Sequence, residues 1–380
     1  MERLFITTAE QQAWQQKLEQ LGEQFAQNAA QVDATDGFPF ATIDALRAIH
    51  YPRVTLPKAY GGEGFSVYDM LLTQETLGKY DASATLIMSW TLGVVGEIFE
   101  NKTWSEDKLQ AFAKEICNGA MVNRAASEAA TGSPTRGGQP QTTATRTKDG
   151  WSITGRKTFT TGSYALDYII VSAWVPELSR IGNFLIHKDT AGLRIEENWQ
   201  VMAMKGTGSH DLVLENVCVA TDDLVESNTS RRAKLNGWSL HIPSTYLGIA
   251  QAARDYAVHF AKTYQPNSLS TTISELPNVQ THIGEMDLLL TQARFMLYGT
   301  ARAFDDENKR ALLGNEINVA KYTVTNNAIT IVDRAMRLVG AKSLQLANPL
   351  QRYYRDVRAG LHNPPMDDMT IQRLAASALQ

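Results

Sequence analysis

Residues 150–175 read GWSITGRKTFTTGSYALDYIIVSAWV and contain two short segments, 151–155 and 167–175, that are rich in β-branched and aromatic residues. Glycine, serine and threonine separate the two segments, which is typical of β-strands joined by turns. Segments of the same kind lie nearby, at 142–147, 182–187 and 211–219. About five short strands at such regular spacing predict a β-barrel or a β-sandwich and argue against a sheet built from βαβ units.

Helical patterns lie on both sides of these strands. Thr8 is placed to cap a first helix, in which apolar residues recur at helical spacing. Residues 68–77 and 82–99 also have helix-forming composition. After the strands, long apolar stripes return at 246–264, 279–304 and 316–339, as in a bundle of antiparallel helices.

The segregation of helices and strands predicts an α+β fold. We expect an N-terminal α-helical domain at 1–120, a β-barrel domain at 121–225 and a C-terminal four-helix-bundle domain at 226–380. This order argues against a doubly wound nucleotide-binding fold.

Composition excludes several classes of function. The 380 residues are 43% hydrophobic and 20% charged with a net charge of −4, so we expect a globular chain without a general attraction to nucleic acid or anionic membranes. The two cysteines, Cys117 and Cys218, give no spacing for a metal site or disulfide framework, and we expect both to be buried. We recognise no signal peptide and no apolar run long enough to span a bilayer, which predicts a cytoplasmic protein without membrane insertion.

Five motifs in a fixed order carry a family resemblance. They are PKAYGGEG at 57–64, ASEAATGS at 126–133, GRKTFTTG at 155–162, LENVCV at 214–219 and PLQRYYRD at 349–356. Each alone is a common turn, loop or strand sequence. Together, in this order, they resemble the acyl-CoA dehydrogenase superfamily of flavoenzymes.

The resemblance implies a flavin held between the β-domain and the C-terminal helices. By position in the motifs, Ala126 and Ser127 would approach the flavin ring, and Phe159 would cover it, followed by Thr160 and Thr161. A flat, polarisable ring needs such an apolar wall and a few fixed hydrogen-bond donors. Gly132 and Ser133 would lie near cofactor phosphate or substrate, where glycine allows the backbone to approach an anion.

The sequence elements that bind the cofactor phosphates in the family differ in this chain. An Arg-x-x-Phe element that reaches a neighbouring subunit's FAD in the family is replaced by YQPNSLS at 264–270, and the family's Gln-x-x-Gly-Gly appears as Arg337-Leu-Val-Gly340-Ala. Arg337 could compensate by its charge. The resemblance implies FAD, with FMN as an alternative.

The family's catalytic glutamate is also missing. Its usual position falls on Met366, and an alternative position falls on Trp238. Asp367 is one residue away and is the first candidate for a replacement base. Asp368 is a second carboxylate, which we expect to cap the last helix, and His362 is the third candidate, since imidazole transfers protons near neutral pH.

The segment 355–364, RDVRAGLHNP, resembles another branch of the same fold, the flavin monooxygenases of the dibenzothiophene-desulfurisation type. The first hypothesis is therefore dehydrogenation of an acyl-CoA-type thioester in fatty acid metabolism, with electrons passed to an acceptor. The second is oxygenation of another small molecule, with reduced flavin delivered by a reductase. The third is a flavin-binding scaffold without turnover. The family resemblance further implies a homo-oligomer, a dimer or a tetramer.

Overall fold

Five α-helices precede the first strand in the computed structural model, which describes residues 4–131, 138–227 and 235–380. Thr8 caps the first helix as the sequence predicted, because its hydroxyl accepts a hydrogen bond from the Gln11 N–H at 3.1 Å. The apolar stripe of this helix, including Leu18 and Phe25, is buried. The helices are α1 (Ala9–Thr35), α2 (Phe40–Ala48), α3 (Val67–Gly78), α4 (Ala82–Asn101) and α5 (Glu106–Cys117).

A curled sheet of eight strands forms the middle of the molecule. The strands are β1 (Val122–Ala125), β2 (Thr143–Arg146), β3 (Gly150–Lys157), β4 (Tyr168–Val175), β5 (Arg180–His187), β6 (Leu193–Glu196), β7 (Asp211–Ala220) and β8 (Leu224–Ser227). Their spatial order is β6-β7-β3-β2-β4-β5-β8, and β1 pairs in parallel with β4. Cys218 on β7 is exposed and Cys117 is half-buried, so the expectation of two buried cysteines is wrong.

The C-terminal part is built around one central helix. α6 (His241–Thr263) packs against α9 (Glu316–Val339) on one side and against α3 and α4 on the other. The remaining helices are α7 (Pro277–Asp305), α8 (Glu307–Arg310), α10 (Pro349–Asp356) and α11 (Asp367–Ala378). The molecule therefore has the α+β architecture that the sequence predicted.

The helix α4 corrects one expectation from the sequence. By length and composition it could cross a membrane, with a mean hydropathy of 1.4 over its apolar window. We had expected no apolar run of that length. However, 78% of this window is buried inside the protein, as in the core helix of a globular domain.

The crossing of α3 and α6 requires two glycines. A Cβ atom at Gly248 would lie 2.6 Å from the carbonyl oxygen of Glu75, and one at Gly78 would lie 2.8 Å from the carbonyl oxygen of Thr245. Both contacts are with backbone atoms, which cannot move aside as a side chain can. The two helices therefore approach closely only because both positions lack a side chain.

We expect Gly248→Ala to lower the free energy of unfolding by about 1–3 kcal/mol, because overpacking at this crossing outweighs the helix propensity of alanine. Gly299→Ala is the matched control, since a Cβ at Gly299 on α7 has no neighbour within 4 Å. The control should be neutral or stabilising by up to about 1 kcal/mol. Urea unfolding measures both, and equal stabilities would contradict the close crossing.

Candidate functional site

The two segments that were expected to meet the flavin lie side by side at one rim of the sheet. Ala126 and Ser127 follow β1, and residues 158–161 follow β3. The Thr158 N–H donates to the carbonyl oxygen of Ser127 at 2.9 Å, which joins the two segments. Gly132 and Ser133, which were expected near phosphate, lie outside the described residues.

Phe159 presents an apolar surface at this rim. Its side chain is 65% exposed, and its backbone has a left-handed φ of 59°. The edge of its ring contacts Trp199, with the ring centroids 6.0 Å apart. An exposed aromatic ring held in this way offers a flat ligand one wall.

A buried ion pair holds the rim together from below. The carboxylate of Glu128 accepts hydrogen bonds from Lys157 Nζ at 2.7 Å, from the Thr142 hydroxyl at 2.6 Å and from the N–H groups of Gln141 and Thr142. Burial alone would raise the pKa of Glu128, but these donors lower it to about 2. Glu128 is therefore ionised near neutral pH and ties the loop after β1 to β3.

Polar side chains continue along the rim. The Thr161 hydroxyl shares a hydrogen bond with the Ser209 hydroxyl at 3.0 Å, and Ser209 shares another with the Thr207 hydroxyl at 2.9 Å. The carbonyl oxygen of Thr161 accepts from Asn123 Nδ2 at 3.1 Å. Thr161 is thus fixed on both sides.

The rim also offers hydroxyls that can receive a ligand. The buried Oγ1 atoms of Thr158 and Thr160 have no hydrogen-bond partner among the described residues. Buried hydroxyls are normally paired, and an unpaired one marks a place where a polar group of a ligand can bind. Together with the wall at Phe159, these hydroxyls fit a flavin, whose ring has an apolar face and a polar edge. The residues present therefore fit the cofactor.

A buried carboxylate joins this rim to the C-terminal helices. The Gly162 N–H donates to the Thr207 carbonyl oxygen at 2.8 Å, and the Met204 N–H donates to Asp356 Oδ1 at 2.6 Å. Burial raises the pKa of Asp356 to about 6, although the bond from Met204 and the charge of Arg352 lower it. His362 follows Asp356 by six residues, which is about 12 Å along a 3₁₀ helix. Asp356 therefore joins the loop beside the rim to the end of α10, from which the His362 segment continues.

The segment with the proposed catalytic residues is anchored on α6 and α9. Asn363 accepts a hydrogen bond from the buried Tyr246 hydroxyl at 2.5 Å. Asp367 accepts from Asn326 Nδ2 at 2.9 Å and forms an ion pair with the buried Lys321 at 3.4 Å. His362 between these anchors is exposed. Of the candidate bases, Asp367 has protein partners for both carboxylate oxygens, and the imidazole of His362 faces solvent.

The sequence predicts that Asp368 caps the last helix, and this prediction is wrong. Met366 occupies the N-cap position of α11, and Asp368 lies within its first turn as an exposed side chain. Trp238, at the family's alternative glutamate position, is buried, and its Nε1 donates to Glu100 Oε2 at 2.9 Å. Asp368 is therefore an exposed carboxylate, and position 238 supplies no carboxylate.

Arg337 and Gly340 lie far from Lys321, the partner of Asp367. Both are exposed at the C-terminal end of α9, whereas Lys321 is in its second turn. Sixteen residues of helix separate Arg337 from Lys321, or about 24 Å. Arg337 therefore lies far from the pair of Lys321 and Asp367, and its expected contact with cofactor phosphate stays a prediction.

Sequence reasoning did not single out several residues of the site. Glu128 and Lys157 lie inside the quoted motifs, and the available signal was that Lys157 alternates with Trp151 and Ile153 on the buried face of β3. Asp356 and Asn363 also lie in quoted motifs and Tyr246 does not, but the roles of all three depend on contacts made across the fold.

Comparisons with known proteins agree with this architecture. Family models described as acyl-CoA dehydrogenase N-terminal, middle and C-terminal domains match residues 8–119, 123–217 and 232–361. The chain is 53% identical over 378 residues to YdbM of Bacillus subtilis (strain 168), a protein named for the acyl-CoA dehydrogenases, with 99% of both chains covered.

Two solved structures show the same fold. Butyryl-CoA dehydrogenase from Megasphaera elsdenii is 20% identical with a TM-score of 0.86, and 99% of both chains is covered. FMN-bound TdsC from Paenibacillus sp. A11-2 is 24% identical with a TM-score of 0.83, and 95% of both chains is covered. At these identities the likeness concerns the fold alone.

We expect Thr160→Val to weaken flavin binding about five- to tenfold, because it removes one hydroxyl that a bound ring could pair. The free protein should be no less stable, since that hydroxyl has no protein partner. Fluorescence titration with FMN and with FAD measures the affinity, and thermal unfolding measures the stability. Unchanged affinity for both flavins would contradict the placement of the ring at Thr160.

We expect Glu128→Gln to lower the free energy of unfolding by about 3–5 kcal/mol at neutral pH, because it leaves the buried Lys157 without its counter-charge. The pKa of Glu128 is lowered by folding, so its contribution is complete above the unfolded-state pKa of about 4.3 and is lost as the pH falls towards 2. The variant should lack this part of the acid dependence.

Glu63→Gln is the control for that experiment, since Glu63 forms a partly exposed ion pair with Arg53 at 3.0 Å. Its loss should change the stability by at most about 1 kcal/mol. Urea unfolding at several pH values measures both variants. A similar small effect at Glu128 would show that the buried pair does not hold the rim.

Proposed function

The chain belongs to the acyl-CoA dehydrogenase family, and from this premise we propose that it is a flavin-dependent oxidoreductase in which His362 handles the proton. The family is one of flavin oxidoreductases, so the enzyme class follows from membership. The finer proposal is oxygenation of a small molecule, with reduced flavin supplied by a partner reductase.

The observation that carries the proposal is that Asp367 is paired with protein groups whereas His362 is exposed. A carboxylate that removes an α-proton from a thioester must be free to aim at that carbon. Asp367 is instead paired with Lys321 and Asn326. His362 is exposed on a segment whose neighbours are anchored, which suits a group that gives and takes protons.

The proposed reaction consumes molecular oxygen, two electrons and two protons. When bound, reduced flavin supplies the two electrons; one oxygen atom enters the substrate and the other leaves as water. His362 would hold or release a proton beside the reacting oxygen, as imidazole can near neutral pH. The wall at Phe159 and the fixed rim at Thr161 would orient the ring and exclude water from one face. The proposed flavin is FAD, with FMN as the alternative, which TdsC of the same fold binds.

Dehydrogenation of an acyl-CoA-type thioester is the second candidate. It is favoured by the 53% identity to a relative named for the acyl-CoA dehydrogenases. In that reaction the substrate would lose a proton from its α-carbon to a carboxylate and a hydride from its β-carbon to oxidised flavin. Asp368 is the exposed carboxylate of the segment that could accept the proton. Electrons would then leave to an acceptor protein.

Assembly into a homo-oligomer is also part of the proposal. Leu288 and Phe295 on α7 are more than half exposed, and the ring of Phe295 contacts Phe5, which follows the exposed Leu4. Large exposed apolar side chains grouped on one face are typical of subunit interfaces. A cytoplasmic location rests on the sequence expectations alone.

We expect His362→Gln to change the reoxidation of protein-bound reduced FMN by oxygen by at least about tenfold, and to abolish oxygen transfer, because general acid–base groups contribute factors of about 10²–10⁴. Asp367→Asn should change reoxidation less than His362→Gln, because it loosens one anchor of the segment and keeps the imidazole, and it should lower stability because it breaks the pair with Lys321. Stopped-flow absorbance measures the first quantity, and ¹⁸O₂ labelling of products measures oxygen transfer.

A panel of acyl-CoAs separates the two candidates. Anaerobic mixing should leave the absorbance of oxidised flavin unchanged if the enzyme is an oxygenase. Bleaching that Asp368→Asn removes would favour dehydrogenation. A triple substitution of His362, Asp367 and Asp368 that alters neither reaction would point to a scaffold without turnover.

A further inference from the structure

Tyr246 contacts the His362 segment on both sides of the histidine. Its side chain is fully buried in α6, and its hydroxyl donates to Asn363 Oδ1 at 2.5 Å. A Cβ atom at Gly360 would lie 3.1 Å from the Tyr246 ring. The ring of Tyr246 therefore packs two residues before His362, and its hydroxyl bonds one residue after it.

The backbone before His362 is held by more than this tyrosine. A Cβ at Gly360 would also lie 2.6 Å from Thr325 Cγ2 on α9, so the absence of a side chain lets the 3₁₀ turn lie in the groove between α6 and α9. The His362 N–H donates to the Ala359 carbonyl oxygen at 3.0 Å and closes this turn. Asp367, bound to Lys321 and Asn326, fixes the chain on the far side.

The imidazole has no such anchor of its own. Among the described residues, no hydrogen bond to the His362 side chain is present, and the side chain is exposed. Its position is therefore set by its backbone, and that backbone is set by Gly360 and Asn363. A proton-transfer group must be held within a few tenths of an ångström of its working position.

We propose that Tyr246 is a positioning residue, which acts through Asn363 and Gly360 to fix the location of His362. The inference deepens the proposed function, because it takes His362 as the proton-handling group. Tyr246 is buried beneath the segment, so it supports the histidine without touching the reacting atoms. Asn363 connects Tyr246 to the His362 segment, and this connection requires a side-chain oxygen at position 363 that accepts the hydrogen bond.

Hydrogen–deuterium exchange tests the positioning itself, without any activity. Tyr246→Phe keeps the ring and removes the hydroxyl, so the amides of residues 361–363 should exchange about five- to tenfold faster, as expected for the loss of one buried hydrogen bond. Tyr298→Phe is the matched control: it removes another buried tyrosine hydroxyl, one that donates to Glu75 at 2.5 Å, and should leave these amides unchanged. Unchanged exchange in Tyr246→Phe overturns the inference.

Variants of Asn363 separate positioning from packing. Asn363→Asp retains an Oδ1 acceptor and should exchange within about twofold of the unmodified protein, whereas Asn363→Leu should resemble Tyr246→Phe. Equal exchange in the two Asn363 variants would overturn the role of the hydrogen bond. These variants act at a half-buried loop position, so the test does not depend on Tyr246→Phe alone.

A double-mutant cycle connects the positioning to chemistry. The reoxidation rate of bound reduced FMN by dissolved oxygen should change in Tyr246→Phe, and Tyr246→Phe should have no further effect in the His362→Gln background. Additive effects would overturn an action through His362. If His362→Gln alone leaves the rate unchanged, the proposed function fails, and the exchange data still decide whether Tyr246 holds the segment.

Discussion

One buried carboxylate connects the two halves of the proposed site. Asp356 ends α10 inside the helical part and accepts the N–H of Met204 from the sheet part at 2.6 Å. Because burial raises its pKa to about 6, the charge that makes this bond strong is present at neutral pH and is lost from the closed joint as the pH falls below about 6. The rim at Thr161 and the segment at His362 are brought together through this contact, so the arrangement of the site depends on it.

The site combines one very rigid part with one supported part. Below the rim, Glu128 and Lys157 form a fully enclosed pair, and breaking it exposes an uncompensated charge to an apolar interior. At the His362 segment the anchors are single hydrogen bonds and close packing against α6 and α9. Such a division suits an enzyme that must hold a flat cofactor firmly and place a proton-transfer group beside it.

Much of the fold could be predicted from the sequence. The predicted segments at 151–155, 167–175 and 211–219 correspond to β3, β4 and β7, and the capped first helix was also found. The strands that were missed, β1, β6 and β8, have four residues each; β2 is equally short, but its alternating residues at 142–147 marked it. The site was less predictable. Whether Asp367 is free depends on Lys321, which is 46 residues away in the chain, and no local pattern contains that information.

The backbone at Phe159 has a further consequence. A non-glycine residue with φ of 59° stores about 1–2 kcal/mol of conformational strain. The fold therefore loses some stability by holding this ring in place before any ligand binds. A flat molecule that covers this ring meets a surface already in its final shape, so less of the association free energy is spent on reorganisation. A substitution at this position during evolution would therefore slow ligand binding before it unfolded the protein.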